Sequence, residues 1–280
     1  MKTTLVSTAE LDSHTEWHIF DCRHDLAAPD SGLVLYAQGH IPGALHAHLD
    51  HDLSGPKTGR NGRHPLPEPA IFMNWLGKQG VRHGDQIVAY DDNGGMYAAR
   101  LWWMMRWLGH RAVAVLDGGY AKWLAEGRPT TVAIPNYSTE VYSGQADATI
   151  TVDADTVEAN LGTRAFQLID ARAANRYAGQ DETIDPLAGH IPGALNRPFA
   201  LNLTPQGVFK QADELRDEFQ SLLGNRSARE IVAQCGSGVT ACHHLLALEI
   251  AGLSGARLYP GSWSEWCGDP RRPMATGSEP

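Results

Sequence analysis

The sequence predicts an α/β protein built as two similar domains, each a small parallel sheet covered by helices. Three observations predict it. The chain repeats a set of short motifs in the same order, short apolar runs alternate with helical stretches in each half, and one apolar run ends at a cysteine in a glycine-rich loop that opens a helix. Strands separated by helical stretches argue for parallel strands buried on both faces. A length of 280 residues also suits two domains, at roughly 100–200 residues each.

The repeat is explicit. Asp21-Cys-Arg23 recurs as Asp170-Ala-Arg172, and Gly39-His-Ile-Pro-Gly-Ala44 as Gly189-His-Ile-Pro-Gly-Ala194. Ile87-Val-Ala89 recurs as Ile231-Val-Ala233, and Asp117-Gly-Gly-Tyr-Ala-Lys-Trp123 parallels Pro260-Gly-Ser-Trp-Ser-Glu-Trp266. The spacing between copies drifts, so the insertions between motifs differ. Residues 17–20, 86–90 and 112–116 read as strands of the first half, and 166–169, 230–233 and 257–259 as those of the second. Helical stretches fall at 98–108, 212–223 and 242–251. A Thr-, Ser-, Asn-, Gly- and Gln-rich segment from 129 to about 148 reads as the connection between halves. The predicted domains are 1–135 and 150–280, with 136–149 as linker. The proline-bearing tail after Asp269 is expected to be poorly ordered. In the Gly-His-Ile-Pro-Gly-Ala hexapeptide the glycines and proline shape a turn, and His40 and His190 read as hydrogen-bonded structural residues.

Composition narrows the classes. A hydrophobic content of 42% and a charged content of 20% fit globular cores. The net charge of −9 argues against nucleic acid and against an anionic membrane as partner. No apolar run follows Met1-Lys2, so no signal peptide is expected. The apolar patch at 101–105 is stopped by Arg106 and is too short to span a bilayer. Cys22, Cys235, Cys242 and Cys267 form no Cys-x-x-Cys pair, and reduced thiols in a cytoplasm are expected.

The chemistry-bearing stretch is Ile231-Val-Ala-Gln-Cys235-Gly-Ser-Gly-Val-Thr240-Ala. A strand, a tight loop and a helix start meet at one sulfur. Loop amides and the positive end of the helix dipole would face whatever sits on it, which favours thiolate and makes Cys235 a candidate nucleophile. A buried, inert cysteine is the competing reading; the glycines at 236 and 238 weigh against it.

The loop Cys-Gly-Ser-Gly-Val-Thr resembles the active-site loop of the mercaptopyruvate sulfurtransferases of the rhodanese superfamily. The two Gly-His-Ile-Pro-Gly-Ala copies resemble that superfamily's signature, and Gly261-Ser-Trp-Ser-Glu-Trp266 its C-terminal signature. The resemblance covers nearly the whole chain. It implies two tandem rhodanese-like domains with the active site in the cleft between them. It also implies sulfur transfer from 3-mercaptopyruvate through a Cys235 persulfide, with no cofactor. A small-molecule donor and a thiol acceptor, such as thioredoxin or a low-molecular-weight thiol, would be the partners.

Aligning the halves puts Asp91 where Cys235 stands. A carboxylate cannot carry a sulfane sulfur, so the second half alone is expected to be catalytic. The neutral residues Gly236 and Ser237 resemble the mercaptopyruvate branch, whereas thiosulfate enzymes tend to place cations there; thiosulfate stays as the alternative donor. Gly236, Gly238, Val239 and Thr240 would line the donor's seat. Ser237 either donates a hydrogen bond during the reaction or serves the tight turn.

A keto acid also asks for an arginine fork on its carboxylate. Arg176 sits where the family carries one substrate arginine. The family's second arginine falls near Thr183, where none stands, and Arg197 is the candidate replacement. The family's acid–imidazole–hydroxyl relay falls by local order on Asp50, His64 and Ser237, with His48 and Asp52 as rivals. The run His46-Ala-His-Leu-Asp50-His-Asp52 fits no standard metal spacing, and no metal is expected. Cys242, in the first helical turn, reads as packing, with a redox lock to Cys235 as the lesser alternative.

Overall fold

The computed structural model describes residues 1–280, which fall into two compact units. Unit 1 comprises residues 1–55, 66–147 and 205–209, and unit 2 comprises 56–65, 148–204 and 210–280. The division near 147/148 is thus overlaid by an exchange: ten residues of the first half belong to unit 2, and five of the second half to unit 1.

The sheet of unit 1 holds β1 (Leu5–Val6), β2 (His18–Asp21), β3 (Ala44–His46), β4 (Ile87–Tyr90) and β5 (Val113–Leu116) in the order β1-β5-β4-β2-β3. Unit 2 holds β6 (Gln167–Asp170), β7 (Leu195–Asn196), β8 (Ile231–Gln234) and β9 (Arg257–Leu258) in the order β7-β6-β8-β9. Every strand pair is parallel. The order β9-β8-β6-β7 repeats β5-β4-β2-β3, and the registers agree: Asp21 lies opposite Tyr90 as Asp170 lies opposite Gln234. The central strands β4 and β8 are buried at every position, as expected for parallel strands covered on both faces, and the apolar run of β8 ends at the buried Gln234.

Helices α1 (Thr8–Asp12), α2 (Ser31–Gln38), α3 (Pro69–Lys78), α4 (Ala98–Trp107) and α5 (Gly119–Ala125) belong to unit 1. Helices α6 (Ala154–Thr163), α7 (Ala174–Tyr177), α8 (Ala212–Leu223), α9 (Thr240–Ile250) and α10 (Ser262–Trp266) belong to unit 2. Helix α9 starts two residues before the expected 242 and is buried from Thr240 to Leu248. No helix is long and apolar enough to cross a membrane. Val157, Ile191, Val232, Trp263 and Trp266 form the centre of the unit 2 core.

Two expectations change. The segment 136–147 is no free linker: Glu140 N–H donates to Gly77 O at 2.8 Å, Tyr137 OH to Gly43 O at 3.0 Å, and Tyr142 is buried against His110. The C-terminal tail is tied down: Trp266 Nε1 donates to Pro273 O at 2.8 Å, His190 and Ala275 exchange backbone hydrogen bonds, and Gly277 N–H donates to Ala178 O at 2.9 Å. Prolines do not prevent pairing where the other backbone groups find partners.

Candidate active site

Strand β8 delivers Cys235 to the mouth of a loop, and α9 begins at Thr240. Gly238 takes φ +76°, and a methyl group there would overlap the Pro260 carbonyl oxygen and meet Pro260 C and Cα at 3.0 Å. Only glycine fits both demands. The turn lets Gly238 N–H donate to Cys235 Sγ at 3.1 Å. Val239 and Thr240 complete the loop, and the positive end of the eleven-residue helix α9 faces it. Cys235 is 2% exposed.

The backbone of Cys235 is clamped from α10. Trp263 N–H donates to Cys235 O at 3.0 Å, and Cys235 N–H donates to Ser262 Oγ at 3.1 Å. Ser262 holds a left-handed φ of +54°, and its hydroxyl also donates to Tyr259 O at 2.9 Å. A strained non-glycine residue is therefore retained where its hydroxyl positions the reactive residue's backbone.

Unit 1 shows the same cradle with a different occupant. Asp91 is fully buried, and its carboxylate accepts backbone N–H groups from Asn93 and Gly95 on one oxygen and from Tyr97 and Ala98 on the other, at 2.7–2.9 Å. Burial raises its pKa against those four donors. The loop turns its backbone N–H groups inward in both halves: in unit 1 onto the Asp91 carboxylate, in unit 2 onto the Cys235 sulfur.

The exchanged segment brings His64 to this loop. His64 Nδ1 and Ser237 Oγ are 2.7 Å apart, and both residues are buried. Asp50 belongs to unit 1, with its carboxylate 4.0 Å from His24 Nε2 and its N–H donating to His48 Nδ1 at 3.1 Å. That hydrogen bond leaves the His48 proton on Nε2, facing Asp30 at 3.5 Å. His24, His48 and Asp50 present ligand atoms within 4.8 Å of one another, but this tautomer offers a cation no Nε2 lone pair. Asp52 caps the turn by accepting His48 N–H at 2.8 Å.

Arginines crowd the loop. Arg172 forms a buried bidentate pair with Asp170, which repeats the Arg23–Asp21 pair of unit 1. Burial lowers the Arg172 pKa, but Asp170, Asp185 and Cys235 outweigh it and the pKa is raised. Arg176 forks onto Glu182 at 2.9–3.1 Å and reaches Asp185 at 3.0 Å. Arg197 stands elsewhere: its guanidinium donates to Glu218 at 2.6 Å, to Leu201 O and to Asn202, and lies over the Phe219 ring. None of these partners belongs to the Cys235 loop. Sequence reasoning missed Arg63, Arg172 and Ser262. Arg63 adjoins His64, and Ser262 lies inside the Gly-Ser-Trp motif, so both had a signal.

His40 and His190 are structural, as expected. His40 Nδ1 bonds Tyr36 O at 2.8 Å, and His190 Nδ1 bonds Tyr177 O at 2.9 Å. All four cysteines are free and buried. Burial pushes the Cys22 thiol pKa well up and that of Cys267 to about 11, so neither offers a ready thiolate. Cys242 Sγ donates to Gly238 O at 3.2 Å, a packing contact within the first helical turn.

Two parallel-sheet units of the same strand order, one with Asp91 and one with Cys235 at the same loop position, define a tandem α/β protein with one candidate loop cysteine. The Rhodanese-like domain family matches residues 7–126 and 153–269, and the chain belongs to that family. It is 49% identical over 261 residues to a probable 3-mercaptopyruvate sulfurtransferase of Pseudomonas aeruginosa, covering 92% of each chain. It is 36% identical over 235 residues to a thiosulfate sulfurtransferase of Gallus gallus, covering 82% of this chain and 79% of the other. The fold superposes on a 3-mercaptopyruvate sulfurtransferase from Leishmania major with a TM-score of 0.87 at 30% identity, covering 97% of this chain and 76% of that one.

Proposed function

We propose that this chain is a 3-mercaptopyruvate sulfurtransferase with Cys235 as the sulfur carrier. The Cys235 thiolate attacks the donor sulfur, the carbon–sulfur bond breaks, and its electron pair leaves on pyruvate enolate. The proton carried in on the donor thiol ends on the methyl carbon of pyruvate. Cys235 keeps the sulfur as a persulfide anion, held by Gly238 N–H and the start of α9. The His64–Ser237 pair, at 2.7 Å, moves that proton or polarises the keto oxygen. An acceptor thiolate, from thioredoxin or a small thiol, then takes the outer sulfur and restores Cys235. Cyanide would do the same in vitro. Four reduced thiols suit a cytoplasmic setting.

The observation that carries this reading is the intact Cys235-Gly-Ser-Gly cradle with His64 on its serine. A second reading, thiosulfate as donor, is favoured by the guanidinium groups of Arg63, Arg172 and Arg176 near Gly236. Asp170, Glu182 and Asp185 pair with those groups, so little net cation is left for a dianion. Turnover with the two donors side by side decides. Mercaptopyruvate should have at least a tenfold higher kcat/KM, and mass spectrometry after donor alone should find one added sulfur on Cys235. A preference for thiosulfate, or sulfur on another cysteine, overturns the assignment.

A further inference from the structure

The second cation at the donor's seat comes from a distant part of the chain. Arg63 lies in the exchanged segment of unit 2. Gly62, at φ +80°, packs its backbone against Gly261, and Arg63 N–H donates to Ser264 Oγ at 3.0 Å. The side chain is thereby aimed at the Cys235 loop. A methyl group built on Gly236 would stand 2.8 Å from Arg63 Nη2, 3.7 Å from Arg176 Nη1 and 3.9 Å from Arg172 Cδ. Arg63 Nη1 pairs with Asp185, while Arg63 Nε and Arg172 Nη1 are buried without a hydrogen-bond partner.

Asp185 lies between the two outer guanidiniums, with one oxygen on Arg63 and the other 3.0 Å from Arg176 Nη2. Its side chain is 1% exposed. A carboxylate held between two guanidinium groups, one on each oxygen, is the arrangement a bound keto acid would need. We propose that Arg63 and Arg176 form the carboxylate clamp for the donor, and that Asp185 is a resident anion competing for it. Gly236 keeps the approach to the clamp open beside the reacting sulfur. The identity of the donor rests on the function proposed above; the clamp itself is a property of the site.

The test uses alkylation of Cys235 by two reagents of similar size, anionic iodoacetate and neutral iodoacetamide, with the modified cysteine identified by mass. The ratio of the two rates reads carboxylate recognition without any turnover. Arg63→Gln and Arg176→Gln should each lower the iodoacetate rate about tenfold, with the iodoacetamide rate little changed, as loss of a charge-assisted pair implies. Asp185→Asn, nearly isosteric, should raise the ratio severalfold and lower the KM for mercaptopyruvate. Arg63→Lys, which keeps charge but loses the fork, should fall between. An Arg63→Gln ratio equal to wild type, or an equal fall for both reagents, overturns the clamp. A wild-type enzyme inactive on mercaptopyruvate, but with the expected shifts in ratio, would overturn the donor assignment and leave the clamp standing.

Discussion

Replacing Gly238 by alanine tests whether the close approach of two backbones holds the reactive loop. Two costs add. The φ of +76° costs an alanine about 1–2 kcal/mol. The new methyl overlaps the Pro260 carbonyl oxygen and meets Pro260 C and Cα at 3.0 Å, so the turn at Pro260 must move. Backbone displacement of this kind costs about 1–3 kcal/mol more. Gly252, in the same unit, is the control. Its φ is +75°, and a methyl there meets only the end of Arg216 at 3.5 Å. Gly252→Ala should therefore lose the conformational cost alone, and Gly238→Ala about 2–5 kcal/mol. Hydrogen exchange of the α9 amides reports unit 2 by itself and measures both. The moving turn carries Ser262 and Trp263, which hold Cys235 N–H and C=O. Persulfide formation in a single turnover should accordingly slow at least tenfold in Gly238→Ala and stay near wild type in Gly252→Ala. Equal stability losses in the two variants would refute the argument from close approach.

Three further outcomes follow from the same geometry. Ser262→Ala leaves the buried Cys235 N–H without its acceptor and should cost about 1–3 kcal/mol; Ser262→Gly relieves the φ of +54° and should recover stability but not the persulfide rate. Asp91→Ala strips four N–H groups of their acceptor, three of them buried; exchange at the α4 amides should show a loss of about 3 kcal/mol or more, with persulfide still forming on Cys235. His244, whose Nε2 donates to Arg197 O at 2.6 Å, has its pKa lowered by burial from 6.5 to about 3. The folded state holds it neutral, so its contribution is complete above pH 6.5 and falls toward pH 3, by up to about 1.4 kcal/mol per pH unit. Urea midpoints of wild type minus His244→Gln should show that slope; parallel curves would remove it.

The central strands, the long helices and the cysteine loop were legible because their signals are local. Ile87–Tyr90 and Ile231–Ala233 are unbroken apolar runs, and the Gly-Ser-Gly turn announces its own geometry. Aligning the halves also pointed to Asp91, whose four N–H partners show why a carboxylate suits that loop. Strands β1, β3 and β7 were not legible, because two or three residues carry no period. Arg63 was out of reach for a different reason. Nothing local in the sequence shows that residues 56–65 join unit 2, where Arg63 pairs with Asp185. Arg197 shows the converse: proximity to a motif in sequence says little about direction, and its guanidinium turns to Glu218 and Phe219.

The exchange of residues 56–65 into unit 2 has a consequence for biosynthesis. The ribosome releases His64 and Arg63 before any other part of the catalytic unit exists. At roughly 5–20 residues per second, about 9–34 seconds pass before Cys235 is made, and more before α10 emerges to receive the segment. A nascent or prematurely terminated chain therefore displays Arg63 and His64 without the Cys235–Thr240 loop they meet in the folded unit. A gene cut at the midpoint would yield a C-terminal protein with Cys235 but without Arg63 and His64. The two halves of the sequence are therefore not the two folded units, since each half lends a short segment to the other's unit.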